Sequence, residues 1–100
     1  MSELKKINGG SGSYLEWRRG SGRTIEILNI HVNRPDRKKG VGKKMIKQLK
    51  STVDGNLVFA ITRMSNRIAK EFYKKIGFRE IAVLGKFYGS EDAVMFGIDL

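Results

Sequence analysis

The sequence predicts an α/β fold in which a mixed β-sheet is flanked by helices, with the elements in the order β-β-α-β-α-β-β. Two observations support this prediction. Short apolar runs, either alternating or continuous in hydrophobicity, recur along the chain and are typical of strands. Between them lie two longer segments whose apolar residues are three or four positions apart, as on one face of a helix.

The first half of the chain contributes two strands and a helix. "YLEWRR" at 14–19 alternates in polarity. "TIEILNIHV" at 24–32 is rich in β-branched residues and nearly continuous in hydrophobicity, so we expect it to be the central strand. Segment 1–13 is polar and rich in Gly and Ser, which predicts either a flexible terminus or a short first strand. The helix that follows has its apolar positions at Val41, Met45, Ile46, Leu49 and Val53.

The second half predicts a strand, a helix and two final strands. "LVFAIT" at 57–62 is a buried strand, and Ser65 is in position to be the N-cap of the next helix. Gly77 lies where a C-terminal glycine cap is expected. The final strands, "FREIAVLG" and "AVMFGIDL", flank the loop "KFYGSED". The apolar stripe of the second helix consists of Ile68, Ala69, Phe72, Tyr73 and Ile76.

Length and composition limit the class of protein. One hundred residues with 40% hydrophobic side chains suit a single domain, residues 1–100, with one core. The chain has no cysteine and one histidine, His31, so we expect neither disulfides nor a metal site built from these side chains. Neither a signal peptide nor an apolar run of membrane-spanning length is evident, so a cytoplasmic protein without membrane contact is expected.

The net charge of +10 is concentrated in two segments. Residues 34–50 hold eight Lys or Arg and one acid, and residues 63–79 hold six and one, so the rest of the chain is slightly acidic. Solvated helix faces account for part of this excess. An excess of this size also predicts a polyanion site, for either a phosphorylated cofactor or nucleic acid.

The segment "RPDRKKGVGKK" at 34–44 lies between the predicted central strand and the first helix. A helix N-terminus offers unpaired N–H groups and the positive end of the helix dipole. Glycine lets the backbone approach an anion closely. Gly40 and Gly42 therefore indicate a phosphate-binding turn, although their spacing matches neither a P-loop nor a dinucleotide-binding fingerprint.

Two motifs resemble those of the GNAT N-acetyltransferases. "RKKGVG" at 37–42 is similar to the family's Arg/Gln-x-x-Gly-x-Gly/Ala signature, which binds the pyrophosphate of acetyl-coenzyme A (acetyl-CoA). "NRIAKEFYKKIGFRE" at 66–80 is similar to its motif Asn-x-x-Ala-x-x-x-Tyr-x-x-x-Gly-Phe. The resemblance runs from about residue 14 to the end of the chain. It implies a GNAT-like sheet and an acetyl-CoA-dependent N-acetyltransferase, in which a primary amine attacks directly in a ternary complex.

The resemblance also implies roles for single residues. Tyr73 would be the general acid for the leaving thiolate, and its other interpretation is a core tyrosine. Glu26, eleven positions before Arg37, would be the general base as in histone-acetylating members, and its other interpretation is a half-exposed strand residue. The implied cofactor contacts, some through backbone amides, are Ile30, His31, Val32, Arg37, Lys38, Lys39, Gly40, Val41, Gly42, Lys43, Asn66, Lys70 and Tyr73.

The acceptor side departs from the family pattern. Family members commonly begin with a strand and two helices that help form the acceptor pocket, and this sequence leaves no room for that helix pair. We therefore expect an open acceptor side or a homodimer that closes it, and a protein or peptide amine as the acceptor, ahead of a small amine. Trp17, Glu91 and Asp92 are the expected acceptor-binding residues, although Trp17 could serve packing and the two acids an ordinary solvated turn.

An alternative function from another class stays open at this point. The charge also fits a basic, nucleic-acid-associated module on the same fold, which either acetylates an aminoacyl-tRNA-type amine or binds without catalysis. Few aromatic residues lie near the basic segments to stack on bases. The pair of motifs therefore favours the acetyltransferase.

Overall fold

The computed structural model describes residues 3–100; Met1 and Ser2, with their share of the predicted leading segment, lie outside the described residues. The strands are β1 (Lys5–Gly10), β2 (Ser13–Arg19), β3 (Thr24–His31), β4 (Leu57–Arg63), β5 (Arg79–Leu84) and β6 (Ala93–Asp99). The helices are α1 (Val41–Thr52), after β3, and α2 (Arg67–Lys75), after β4, with a short 3-10 turn at Arg34–Asp36. The predicted α/β class is confirmed, and the leading segment takes its strand alternative.

The strands form one mixed sheet in the order β1-β2-β3-β4-β6-β5. β3 is parallel to β4, and the other neighbouring strands are antiparallel. The strand predicted to be central, β3, is hydrogen-bonded on both sides. Its residues Ile25 and Ile27 are buried under the helices, whereas Leu28, Asn29 and His31 are exposed.

Both helices pack on the same face of the sheet. The ring of Tyr73 on α2 stacks on Phe96 of β6, with centroids 5.7 Å apart, while α1 contacts β1 and β2. Neither helix is long and apolar enough to cross a membrane, within residues 3–100. The buried core between the helices and the sheet comprises Ile7, Leu15, Trp17, Ile25, Ile27, Met45, Ile46, Leu49, Val58, Ala60, Tyr73, Phe78, Val94 and Phe96.

The opposite face of the sheet, which we call the helix-free face, carries no helix within residues 3–100. On β4 the residues that alternate with the buried ones are Leu57, Phe59 and Ile61, and all three are only half-buried. Met95 lies beside Ile61 on β6 and is also half-buried. This face therefore presents apolar side chains that the helices do not cover.

β3 and β4 separate towards their carboxyl ends. Their parallel pairing runs from Thr24 and Leu57 to Ile27 and Ala60. Leu28 is then an extra residue in β3, because Trp17 is opposite Ile27 while the next pair along β2 is opposite Asn29. Such a bulge bends a strand. β4 meanwhile stays paired with β6, so a gap opens between the two strand ends, where open α/β sheets commonly bind ligands.

Candidate active site

A cleft of about 890 Å³ lies at this gap, bounded by the end of β3, the β3–α1 loop, the start of α1 and α2. Its volume is in the range of ligand-binding pockets. The two sequence motifs, which are about thirty residues apart, thus meet at one site. The predicted cofactor-binding residues that line it are Ile30, His31, Val32, Arg37, Lys38, Gly40, Val41, Gly42, Lys43, Asn66 and Tyr73.

Two predicted residues, Lys39 and Lys70, are not among those that line the cleft. Lys39 is exposed, and the Nζ atom of Lys70 lies 3.9 Å from the Sδ atom of Met64. A motif fixes the position of a lysine along the chain but not the direction in which its long side chain points. The lining residues that sequence reasoning did not assign to the site are Asp36, Ile68, Ala69, Phe72, Lys75 and Ile76.

Most of these additional residues belong to the apolar stripe of α2, which sequence reasoning assigned to packing alone. The stripe faces the core at one edge and the cleft at the other. Ile68, predicted as part of the packed stripe, is 83% exposed because it lies in the first turn at the cleft. An apolar stripe can therefore also form a ligand wall, which its periodicity does not reveal.

The β3–α1 loop has the geometry of an anion site. Gly40 is the N-cap of α1 with φ 74°, a left-handed conformation that glycine adopts readily, and it makes no side-chain cap. The N–H groups of the first turn, at Val41, Gly42 and Lys43, precede the first intrahelical bond, from the Lys44 N–H to the Gly40 carbonyl. All three residues line the cleft. This end of α1 therefore presents unpaired donors and the positive end of the helix dipole to a ligand.

Gly42 is required for the packing of the two helices, not for the close phosphate approach that the sequence predicted. It is buried, and a Cβ atom there would lie 3.1 Å from Cζ of Phe72. The missing side chain lets α1 and α2 approach each other. Gly40, by contrast, has open space around it and is required for its backbone conformation.

A buried polar cluster, the Ser13 clamp, ties the β1–β2 hairpin to the β3–α1 loop. The Ser13 hydroxyl donates to Asp36 Oδ2 at 2.6 Å and accepts from the Asn33 N–H at 2.7 Å. Asn33 Nδ2 donates to the Ser11 carbonyl at 2.6 Å. Ser13 and Asp36 are buried, so the loss of one partner would leave a desolvated polar group. The clamp therefore fixes the segment that leads into the predicted phosphate-binding turn.

The charges in the cleft are mainly positive. Arg37, Lys38, Lys43 and Lys75 line it together with one acid, Asp36. The carboxylate of Asp36 is already engaged by Ser13, and burial limits its reach. The cleft therefore favours an anionic ligand.

Tyr73 lies on the α2 wall, 8% exposed, with its ring against Phe72, Phe78 and Phe96. Burial raises the pKa of Tyr73 to about 12, because the ionised form would be poorly solvated. The hydroxyl is therefore protonated at neutral pH and lies at the cleft as a hydrogen-bond donor. The packing role and the site role of this residue are compatible.

The start of α2 corrects one prediction. The N-cap is Asn66, not Ser65, because Asn66 Oδ1 accepts the Ala69 N–H at 3.0 Å, while the Ser65 N–H donates to Glu91. Gly77, with φ 103°, follows the helix as predicted: its N–H reaches the Lys74 carbonyl and the next N–H reaches Tyr73. Together these caps position Asn66 and Tyr73 on the cleft.

Glu26 is not among the residues that line the cleft. It lies on β3 four residues before Ile30, and its neighbour in register on β4 is Phe59, which places it on the helix-free face. Its Oε1 atom is 3.0 Å from Nη2 of Arg18, and its side chain is 18% exposed. A base role from this position requires a connection through water or through the acceptor itself.

The predicted acceptor-binding residues are engaged elsewhere. Trp17 is 6% exposed in the core, which supports the packing alternative. Glu91 accepts the Ser65 N–H at 2.9 Å and pairs with Arg63 at 3.1 Å, and these bonds hold its pKa below 4.5. Asp92 Oδ1 accepts the Lys86 N–H at 2.8 Å. None of the three lines the cleft.

Curated relatives match about three quarters of the chain. An N-alpha-acetyltransferase of Sulfolobus acidocaldarius is 35% identical over 79 aligned residues, which cover 74% of this chain and 47% of the relative. The chain thus spans about half the length of the curated relatives it matches. The activity in its name is therefore that of the longer relative.

Solved structures share the fold. A Bacillus subtilis acetyltransferase in complex with CoA has a TM-score of 0.74 at 24% identity, covering 99% of this chain and 77% of that one. Ard1 from Thermoplasma volcanium has a TM-score of 0.69 at 26% identity, covering 88% and 62%. The profile of the acetyltransferase (GNAT) family matches residues 3–78, which include the β3–α1 loop and α2. The chain therefore belongs to the GNAT acetyltransferase family.

Proposed function

We propose that the protein is an acetyl-CoA-dependent N-acetyltransferase that transfers the acetyl group to a primary amine by direct attack in a ternary complex. The observation that carries this proposal is the meeting of the Gly40 turn and the Tyr73 hydroxyl at one cleft. One feature suits an anionic diphosphate and the other suits a leaving sulfur. Membership of the family and the CoA complex of the Bacillus subtilis neighbour support the choice of cofactor.

The residues present fit the cofactor. The first-turn N–H groups of α1 would hold the diphosphate, with Arg37, Lys38 and Lys43 contributing charge. β3 beyond Ile27 is paired only with β2 among the described strands, so its other edge is free to bind a pantetheine arm near Ile30 and Val32. Acetyl-CoA would supply an activated acetyl thioester at this edge.

Tyr73 would act on the leaving group. A hydroxyl with a pKa of about 12 is a weaker acid than a thiol of about 8.5, so Tyr73 does not release its proton before the carbon–sulfur bond breaks. It would donate a hydrogen bond to the sulfur as the thiolate leaves, and backbone N–H groups at the end of β3 would polarise the carbonyl. The thiolate would then be neutralised by the second proton that the amine loses as the amide forms. Asn66 adds a further polar group at the cleft.

Glu26 would receive the proton of the attacking amine. An amine of pKa about 10.4 is mostly protonated at pH 7, and producing the neutral form costs roughly 4–5 kcal/mol. Glu26 lies on the helix-free face, so this face is where the acceptor would approach. The ion pair with Arg18 holds the carboxylate at the end of β2, away from the cleft, so the proton would reach Glu26 through water or through the bound acceptor.

A protein or peptide amine is the acceptor class that we propose, and the cytoplasm is the proposed location. The name of the Sulfolobus acidocaldarius relative supports acetylation of a protein α-amine. The helix-free face leaves room for an extended molecule, since no helix within residues 3–100 lies over it. The acidic pair Glu91 and Asp92 would contribute to the acceptor side chiefly by shaping the β5–β6 turn.

As the alternative to an open helix-free face, we propose a homodimer in which a second copy would close the acceptor side over this face. Its apolar residues, Leu57, Phe59, Ile61 and Met95, would be buried against a second copy. The basic segments 34–50 and 63–79 contain the helices, which lie on the other face, so two copies that meet through the sheet keep their like charges apart. Sedimentation of wild type and Phe59→Glu measures this: the variant should shift to monomer, and a monomeric wild type would remove the proposal.

An acetyl-CoA turnover assay across amine classes tests the function. Polyamines, aminoglycosides, lysine peptides, peptides with a free α-amine and aminoacyl-tRNA are compared at equal concentration. The proposal expects the largest kcat/KM with one of the two peptide classes. Binding of CoA without turnover on any amine would argue for a binding module, and no CoA binding would remove the function altogether.

A further inference from the structure

The outer face of α1 carries a ridge of cations that the proposed active site does not use. Met45, Ile46 and Leu49 are buried against the sheet, while the exposed side of the helix carries Lys44 and Lys47, with the half-buried Lys50 at its edge. None of these three lysines lines the cleft. We call this set the α1 ridge.

The ridge lysines have no ion-pair partner among residues 3–100, and Lys50 alone of the three lies in the last turn of α1, where the helix dipole favours a cation. The ion pairs among residues 3–100 join other side chains, and no carboxylate oxygen lies within 4 Å of a ridge lysine. Successive ridge lysines are three residues apart on α1, and like charges at this spacing destabilise a helix. The first turn of α1 also contains no acid. The lysines therefore weaken the isolated helix slightly.

The cofactor does not account for the ridge either. CoA carries about four negative charges, two on its diphosphate and up to two on its phosphomonoester. The cleft already holds four cations, Arg37, Lys38, Lys43 and Lys75, against one acid, Asp36, so its net charge of +3 offsets most of the charge of the cofactor. The β3–α1 loop also carries Arg34 and Lys39, which are exposed and have no carboxylate within ion-pair distance among residues 3–100.

We propose that the α1 ridge binds the sugar–phosphate backbone of a nucleic acid. Lys44 and Lys50 are six residues apart, about 9 Å along the helix axis, enough to reach more than one phosphate of a strand. Lysine is a point charge suited to phosphates rather than to bases. The ridge carries no aromatic residue on α1 that could stack on a base, so the expected binding is independent of sequence.

A membrane surface fits the same helix less well. Amphipathic helices bind lipid by burying an apolar face in it, and the apolar face of α1 is already packed in the core. The ridge is therefore left with charge alone, which suits the dense, regularly spaced phosphates of a nucleic acid.

Fluorescence anisotropy with labelled 20-nucleotide probes tests the proposal. Wild type is compared with the ridge variant Lys44→Gln/Lys47→Gln/Lys50→Gln and with a control of equal net charge, Lys6→Gln/Lys74→Gln/Lys86→Gln. Single-stranded RNA, duplex RNA and duplex DNA are the three probes, and titrations are repeated from 50 to 200 mM salt. Vesicles of neutral lipid with 30% anionic lipid form a separate arm.

The expected result is specific to the ridge. The ridge variant should bind its best probe at least tenfold more weakly, and its slope of log K against log salt should be smaller by about 2–3, since each phosphate contact contributes roughly 0.7–0.9. The control should change affinity less than threefold. Saturating CoA should not displace the probe, and acetyl transfer to a small amine should be equal in wild type and ridge variant.

Four outcomes would overturn the proposal. Equal loss in ridge variant and control would mean that binding follows overall charge. Displacement by CoA would place the nucleic acid in the cleft. Tighter binding to the vesicles than to every probe would assign the ridge to a membrane, and no binding by wild type would leave it without this role.

Discussion

The β3–α1 loop and the β5–β6 turn share a backbone feature but differ in how nearby N–H groups are satisfied. Each contains a glycine with positive φ, Gly40 at 74° and Gly89 at 83°. In the turn, carboxylates satisfy the neighbouring N–H groups: Glu91 accepts from Ser65 and Asp92 from Lys86. In the loop, the first-turn N–H groups of α1 have no side-chain cap.

This difference shows how a binding loop is distinguished from a structural one. Unpaired donors next to a cleft are available to a ligand, whereas paired donors stabilise the fold. Both regions were predicted to bind something, one the cofactor and the other the acceptor. The hydrogen bonds assign the stronger binding capacity to the loop, and the following experiments test that assignment.

The largest expected effect comes from Gly40→Asp. The substitution places a side chain at φ 74° and adds a negative charge where the diphosphate would bind. CoA binding, measured by calorimetry, should be lost. Gly89→Asp is the matched control, because Gly89 has the same backbone conformation and similarly open space around it. If both variants lost CoA affinity equally, the loss would be due to backbone strain and not to the site. Wild-type affinity in Gly40→Asp would remove the loop from the site.

The sequence predicts features that depend on neighbouring residues, and it does not predict contacts between residues far apart in the chain. Gly40 is visible in the sequence because a single residue supplies its unusual backbone, and the strands and helices are visible through periodicity. The hydrogen bond between Ser13 and Asp36 could not be predicted from the sequence, because it joins residues 23 positions apart. The shift of the N-cap from Ser65 to Asn66 depends on a similar distant contact, with Glu91.

Tyr73→Phe should have the next largest effect. The ring, and with it the stacking on Phe96, is kept, but the hydrogen bond to the leaving sulfur is lost. The rate of acetyl transfer should fall by about 10²–10⁴-fold with little change in Tm. Tyr88→Phe, in the β5–β6 turn, is the control and should keep its kcat. A fully active Tyr73→Phe would leave that residue with packing alone.

The pKa of Tyr73 gives a second test of the same residue. Because the folded pKa of about 12 is above the ordinary 10.0, the unfolded chain loses this proton first as the pH rises. Wild type should therefore lose stability relative to Tyr73→Phe between pH 10 and pH 12, and not below pH 10. Denaturant titrations of both proteins at pH 8 and pH 11 measure the difference. An unchanged difference would mean that the tyrosine is not shielded from solvent.

Glu26→Gln should reduce the rate by about 10–100-fold at pH 7 and approach wild type near pH 10, where the amine loses its proton unaided. The control is Glu16→Gln on β2, whose carboxylate accepts from Asn29 Nδ2 at 3.0 Å on the same face of the sheet. The pH–rate profile of each variant is the measurement. A Glu26→Gln profile parallel to that of wild type would leave Glu26 as the partner of Arg18 only.

Substitutions of Asp36 should change CoA affinity less, and the direction of the change separates a structural role from a charge effect. Asp36→Ala removes the acceptor of the Ser13 hydroxyl and loosens the loop, so CoA should bind about three- to tenfold more weakly. Asp36→Asn keeps an acceptor oxygen and removes a negative charge, so CoA should bind as tightly as in wild type or more tightly. Pantetheine, which lacks the diphosphate, should bind equally to all three. Tighter CoA binding by both variants would mean that Asp36 acts through charge alone.

The smallest effect is expected in the β5–β6 turn. In Glu91→Lys/Asp92→Lys, the acceptor KM should rise only a few-fold with CoA affinity unchanged, because Arg63 already neutralises much of the charge of Glu91. Hydrogen bonds from Ser65 and the charge of Arg63 lower the pKa of Glu91 from the ordinary value of a glutamate, so its stabilising bonds are present at neutral pH and are lost as the pH falls through the folded pKa. The Tm difference between wild type and Glu91→Gln should therefore be constant from pH 5 to pH 8 and shrink below pH 4.5. A large rise in KM without a fall in Tm would show instead that these carboxylates face the acceptor, and would make the turn a binding region like the loop.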